Sequence, residues 1–116
     1  MVELDHKGLN VNITAAILSD EEMTDLGFTD HTGKNWYYTT QLTASISFNV
    51  TIPKDGSRFA LDVLDEDFLQ PYDYQRLLLG KPEHPFALKI KSKVEEELQY
   101  LSSKGVIHGW VKGMYV

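Results

Sequence analysis

The chain has 116 residues, of which 42% are hydrophobic and 24% charged, with no cysteine and a net charge of −6. This length is typical of one domain that buries a core without disulfides, and the lack of cysteine excludes thiolate chemistry and favours a reducing, cytoplasmic setting. The acidic balance argues against binding to duplex nucleic acid. No apolar run approaches the roughly 18 residues of a membrane span and residues 1–10 show no secretory pattern, so we expect neither membrane association nor a signal peptide.

The charge is distributed unevenly along the chain. Residues 1–75 carry 13 acidic and 4 basic residues, a net charge of −9, whereas residues 76–116 carry 4 acidic and 7 basic residues, a net charge of +3. Because opposite charges attract, we expect the two halves to contact each other in the fold. A charged surface for a partner is the alternative.

The first predicted elements are a short strand and a short helix. Apolar and polar residues alternate over residues 9–14, which indicates a half-buried strand. Ser19 and Glu22 have the spacing of a capping box, and Gly27 is placed to end the helix that they begin. Residues 28–35 are predicted to form a polar loop.

The next predicted elements form the clearest pattern in the chain. Residues 36–40 are rich in β-forming side chains. Over residues 46–52 apolar and polar side chains alternate strictly, which is typical of an antiparallel strand with one face in the core. Residues 53–57 have turn composition, and residues 58–63 alternate again. The pattern predicts a β-hairpin.

Two helices and a last strand complete the prediction. Pro71 suits the first position of a short helix that ends at Gly80. A longer helix begins near Pro85, carries apolar residues on one face and ends at Gly105. Residues 106–111 are predicted to form the final strand.

This order of elements indicates the α+β class. We expect a single domain over residues 1–116, with an antiparallel sheet of about four to five strands and one long C-terminal helix packed across one face. The last strand should join that sheet. The positions expected to meet in the core are Ile46, Phe48, Val50, Phe59, Leu61 and Val63 of the hairpin with Ile90, Val94 and Leu98 of the helix.

The feature that most suggests a site is the acidic segment, which we define as residues 64–75. It places four carboxylates among three aromatic rings. The candidate binding residues are Asp65, Glu66, Asp67, Tyr72, Asp73 and Tyr74. Pro71 fixes its own φ angle and Phe68 is apolar enough to anchor a turn. We therefore expect a rigid acidic ridge that faces Lys89 or Lys93.

A metal site is the alternative interpretation of these acids. Hard metal ions bind a few oxygens at a strand end, so a metal-dependent phosphoesterase or nuclease would hold its ion with Asp62, Asp65, Glu66 and Asp67. However, no repeated carboxylate spacing accompanies them, and the glycine of a calcium-binding loop is missing. We favour the interpretation that the acids solvate a turn and stabilise the N-terminus of the next helix.

Other catalytic patterns are not found. The four histidines lack ligand spacing, no nucleophile elbow occurs, and the glycines near residue 105 precede a strand rather than follow one. We therefore expect no catalytic residue and no cofactor. The histidines are His6, His31, His84 and His108.

The long helix breaks one local rule. Three lysines precede three glutamates, which opposes the helix dipole, and lysine before glutamate at i,i+4 is also the weaker order. Such a conflict indicates a tertiary or functional demand on these side chains. They are Lys89, Lys91, Lys93, Glu95, Glu96 and Glu97.

Three motifs resemble small proteins of phages and prophages of Gram-positive bacteria. They are Val63-Leu64-Asp65-Glu66, Gln70-Pro71-Tyr72-Asp73-Tyr74-Gln75 and Gly113-Met114-Tyr115-Val116. The resemblance covers residues 36–116 and implies a cytoplasmic bacterial host and a small accessory role. Its motifs carry no known activity, so no catalytic residue follows from it.

These observations favour a non-enzymatic interaction module that binds another protein or itself. The predicted strand at residues 106–111 has no later strand to cover it, and Trp110 is a large apolar group. An exposed edge or apolar patch there predicts a homodimer.

Overall fold

The computed structural model describes residues 13–113 and the backbone of Val2–Glu3. Its elements, in chain order, are β1 (Val2–Glu3), β2 (Thr14–Ala15), α1 (Asp20–Asp25), β3 (Asn35–Gln41), β4 (Ile46–Pro53), β5 (Ala60–Asp65), β6 (Gln70–Pro71), α2 (Tyr74–Gly80), α3 (Pro85–Ser103) and β7 (Ile107–His108).

The described strands form two antiparallel sheets. The larger sheet has the order β3-β4-β5-β6, and the smaller sheet has the order β1-β2-β7. In the larger sheet Val50 pairs with Tyr38 on one side and with Leu61 on the other. The predicted hairpin is therefore confirmed as β4 and β5, and the α+β class is confirmed with it.

The core lies between the larger sheet and α3. Alternate residues of β4 point into it, as the strand period requires, and α3 presents one apolar face to them. The buried hydrophobic residues of these two elements are Ile46, Phe48, Val50 and Ile52 of β4 and Ala87, Ile90, Val94, Leu98 and Leu101 of α3. None of the described helices has the length and apolar character of a membrane span.

The start and end of α1 follow the sequence signals. The Ser19 hydroxyl accepts a hydrogen bond from the backbone N–H of Glu22 at 3.1 Å and donates one to its carboxylate at 2.8 Å. Gly27 has a φ of +106°, in the region that favours glycine. A Cβ there would lie 3.4 Å from the Tyr38 ring. The predicted helix and its ends are confirmed.

The ends of α3 are also set by local chemistry. The His84 Nδ1 accepts a hydrogen bond from the N–H of Ala87 at 3.1 Å and caps the N-terminus. At the other end Gly105 has a φ of +82°. Its N–H donates to the carbonyl of Ser102, and the N–H of Val106 donates to the carbonyl of Leu101, which is a Schellman motif.

The prediction for the last strand was wrong. Only Ile107–His108 form a strand, and β7 pairs with β2 in the smaller sheet rather than with the larger sheet. The Schellman turn directs the chain toward β2, where the N–H of Ala16 donates to the carbonyl of Val106 at 2.8 Å. Trp110 is 7% exposed, so it cannot form the apolar patch that was expected there.

Two further predictions need correction. Pro71 lies in β6, not in a helix, because the next residue, Tyr72, still donates its N–H to the carbonyl of Val63 in β5. The loop after α1 is not wholly polar, since Phe28 is buried in the core. The predicted strand at residues 9–14 is described only from Ile13, which is buried; residues 9–12 lie outside the described residues, as do His6 and the motif residues 114–116.

Candidate functional site

The acidic segment forms the tip of a second hairpin. β5 and β6 pair through Leu64 with Pro71 and through Asp65 with Gln70. The chain between them must therefore reverse over four residues. We define the hairpin tip as residues 65–70.

The turn in the hairpin tip is fixed by one carboxylate and one unusual backbone angle. Asp65 Oδ1 accepts hydrogen bonds from the N–H groups of Asp67 at 3.1 Å and Phe68 at 3.3 Å, which is the Asx-turn arrangement. Leu69 has a φ of +52° and is the only non-glycine residue with a positive φ in the described part of the chain. A left-handed conformation costs roughly 1–2 kcal/mol for such a residue.

The hairpin tip presents apolar side chains to solvent. Phe68 is 74% exposed and Leu69 is 81% exposed. The prediction that Phe68 anchors the turn was wrong, because the turn is held by backbone bonds to Asp65 and not by packing. Glu66 and Asp67 are exposed beside this pair. The result is an exposed apolar pair with two exposed acidic side chains beside it.

The remaining candidate residues, Tyr72, Asp73 and Tyr74, lie outside the hairpin tip and make structural contacts. Tyr72 is half-buried, with its ring edge-on to Phe86 at a centroid distance of 5.6 Å. Burial and the nearby Asp65 charge raise the pKa of Tyr72. Asp73 caps α2 by accepting the N–H of Arg76 at 3.1 Å, and Tyr74 is buried in the core. Only the three acids Asp65–Asp67 therefore belong to the tip.

The expected contact between the acidic segment and Lys89 or Lys93 is not formed. Within residues 13–113, the ion pair that the structure contains joins Lys54 and Asp30. The Lys54 ammonium also lies 4.6 Å from the centroid of the Trp36 ring, a cation–π contact. The acids of the tip thus keep their charge unpaired by any described lysine or arginine.

Two of the three glutamates of α3 make tertiary contacts, which accounts for their place in the second half of this helix. The Tyr38 hydroxyl donates to Glu97 Oε2 at 2.9 Å, and the N–H of Gly113 donates to Glu95 Oε2 at 2.7 Å. The first turn of α3, residues 85–88, contains no lysine or arginine, and the last turn, residues 100–103, contains no aspartate or glutamate. Because the dipole effect falls off within one turn of each helix end, the electrostatic cost is small.

The carboxylates of the alternative metal site, Asp62, Asp65, Glu66 and Asp67, are not brought together in the structure. Asp62 and Asp65 are three residues apart on β5, and a strand alternates its faces with every residue, so they lie on opposite faces. No group of three or more histidine or carboxylate side chains is placed to hold a metal within the described residues. A groove of about 460 Å³ does lie along α2, but its one carboxylate, Asp73, already caps that helix.

The described histidines make structural contacts instead. His31 stacks on the Tyr37 ring at 4.9 Å, and His108 Nε2 donates to the carbonyl of Gly105 at 2.8 Å. Together with the capping role of His84, these contacts give each described histidine a structural partner. Trp36 is likewise a core residue at 3% exposure.

Sequence reasoning missed Leu69 as a candidate site residue. The signal was the apolar pair Phe68-Leu69 within an otherwise acidic run. The prediction gave only Phe68 a role, as an anchor, because the two-residue strand β6 is too short to show an alternating pattern. Without β6, the hairpin that exposes the pair could not be recognised.

No protein-family model, no curated protein and no solved structure matches this chain.

Proposed function

We propose that this protein is a small non-enzymatic interaction module that binds another protein through the hairpin tip. The observation that carries the proposal is the pair Phe68 and Leu69, exposed side by side at the end of a hairpin. Large apolar side chains that dock into a partner's pocket supply most of the energy of an interface, while charges at the border supply specificity.

The backbone of Leu69 supports the proposal independently. A residue such as Asn would hold the same left-handed angle at a lower cost. The chain instead places an exposed leucine there, which neither packs in the core nor relieves strain. A strained backbone angle that brings no benefit to folding is typical of a functional position.

The border identifies the chemistry of the partner. Glu66 and Asp67 are exposed and paired with no described cation. A complementary surface therefore has an apolar pocket with lysine or arginine residues around it. In line with the resemblance to phage and prophage proteins, we propose a cytoplasmic accessory role in a Gram-positive bacterial host.

The test compares partner capture from a Gram-positive bacterial lysate by three immobilised proteins. They are the wild type, the double variant Phe68→Ser/Leu69→Ser and, as the matched control, Leu79→Ser, which alters a leucine that is 86% exposed on α2. Burying two large apolar side chains contributes about 3 kcal/mol or more, so the double variant should bind more than about 100-fold more weakly.

The control should capture the same protein as the wild type. All three proteins should unfold within about 1 kcal/mol of one another, since the altered residues are exposed and only Leu69 lies at a special backbone angle. Equal capture by the wild type and the double variant, or no specific capture by either, would contradict the proposal.

A further inference from the structure

The two edges of the larger sheet are built differently. The edge strand β6 has only two residues, contains Pro71 and follows the acidic hairpin tip. A short strand, a proline and nearby charges all discourage pairing with another chain. The opposite edge strand, β3, has seven residues with no proline and no charged side chain.

The outer side of β3 has open backbone groups at one end. Tyr37 exchanges two backbone hydrogen bonds, each of 2.8 Å, with Thr29, so the N–H and carbonyl of Tyr37 point away from β4. Alternate residues of an antiparallel strand direct these groups to the same side. The N–H and carbonyl groups of Thr39 and Gln41 therefore also point outward. Over residues 13–113, no strand pairs with that side of either residue.

We propose that β3 pairs with β3 of a second copy of this chain. The two strands run antiparallel about a two-fold axis at Thr40, and the two sheets continue into each other. Thr39 then lies opposite Gln41 of the second copy, and Gln41 lies opposite its Thr39. Each of these pairs exchanges both of its backbone hydrogen bonds. The two Thr40 residues face each other, and threonine pairs of this kind stabilise sheets.

The chemistry of the edge favours a second copy over an unrelated chain. An isologous contact requires a surface that is complementary to itself, and the open groups at Thr39 and Gln41 supply equal numbers of donors and acceptors. Because β3 carries no charged side chain, two paired β3 strands place no like charges opposite each other. The β6 edge resists pairing, so the assembly closes at two copies instead of extending into a fibre.

The dimer leaves the proposed binding site free. β3 and β6 lie at opposite edges of the larger sheet, so a β3 dimer carries one hairpin tip at each outer end. The inference does not depend on the proposed function, because it concerns the other edge.

The first experiment measures mass against concentration by light scattering, between about 5 and 500 µM, because dimer formation follows mass action. The wild type should rise from 13.2 kDa toward twice that value. Higher salt should favour the dimer, since each copy has a net charge of −6.

Two variants and a control locate the contact. Thr39→Pro removes an outward N–H and leaves the ladder with β4 intact, and Thr39→Lys places a charge on the edge. Each should weaken dimerisation at least about tenfold. Gln70→Lys adds the same charge at an exposed position of the opposite edge strand, β6, and should leave the dimer unchanged.

Hydrogen exchange gives an independent readout that needs no variant. The amides of Thr39 and Gln41 should exchange more slowly as the concentration of the wild type rises, because pairing protects them. A wild type that stays at 13.2 kDa throughout the range overturns the proposal. A dimer that both Thr39 variants leave intact also overturns it, and so does a dimer in which these two amides exchange as fast as in the monomer. Each of these results would place any contact elsewhere or assign the edge to a different chain.

Discussion

The hydrogen bond between Tyr38 and Glu97 allows a quantitative test of why α3 carries its glutamates where it does. The Tyr38 hydroxyl donates to Glu97 Oε2 at 2.9 Å and joins β3 to the middle of the long helix. Hydrogen bonds to charged groups contribute about 1.5–3 kcal/mol to stability. Because Tyr38 is only half-buried, water replaces part of what a variant loses. We expect a coupling energy of about 1 kcal/mol.

The assay is a double-mutant cycle with Tyr38→Phe, Glu97→Ala and the combined variant, each unfolded in urea with linear extrapolation. Glu97→Gln serves as the control, because its amide oxygen still accepts the bond. A coupling energy below about 0.3 kcal/mol would refute the reasoning, since it would mean that the glutamate is held at this position by something other than its bond to Tyr38.

The same bond predicts a dependence on pH. Burial and the Glu97 carboxylate raise the pKa of Tyr38 above its usual value. A pKa that is raised by folding stabilises the protein fully below the unfolded value of about 10, and this contribution is lost as pH rises through the folded pKa. The wild type should therefore lose stability above about pH 10, and Tyr38→Phe should lose less.

Three further predictions follow from the described contacts. Phe48→Ala should destabilise the protein by about 3–5 kcal/mol in denaturant melts, because Phe48 is fully buried between the larger sheet and α3; a loss below about 1 kcal/mol would show that this face is not core. Leu69→Asn should raise the free energy of unfolding by about 0.5–1 kcal/mol, because Asn tolerates the left-handed angle, and unchanged stability would show that the angle stores no strain. Magnesium, manganese and calcium should leave the melting temperature unchanged, because Asp62 and Asp65 point to opposite faces of β5; a rise with any of them would revive the metal site.

Local signals accounted for the parts of the fold that were predicted correctly. The capping box at Ser19 and the Schellman motif at Gly105 act within a few residues, so the sequence alone indicates both helix ends. The β4–β5 hairpin was equally readable, because strict alternation and a turn of suitable composition specify it without reference to the rest of the chain.

The errors came from pairings that depend on distant residues. β6 and β7 each have two residues, too few to show a period, and their places are decided by β5 and β2. The burial of Phe28 within a polar loop likewise depends on the helix and strand that flank it. For the site, the sequence identified the acidic segment, but only the pairing of Gln70–Pro71 with β5 shows that Phe68 and Leu69 are at the surface.

The most direct test of the proposed binding site is photo-crosslinking at the hairpin tip. A photoreactive phenylalanine analogue replaces Phe68 in one protein and Leu79 in another, two exposed positions on different elements. After irradiation in a Gram-positive bacterial lysate, the analogue at position 68 should form a crosslink to one defined protein, and the analogue at position 79 should not. Equal crosslinking at both positions, or none at position 68, would contradict the claim that the hairpin tip is the contact site.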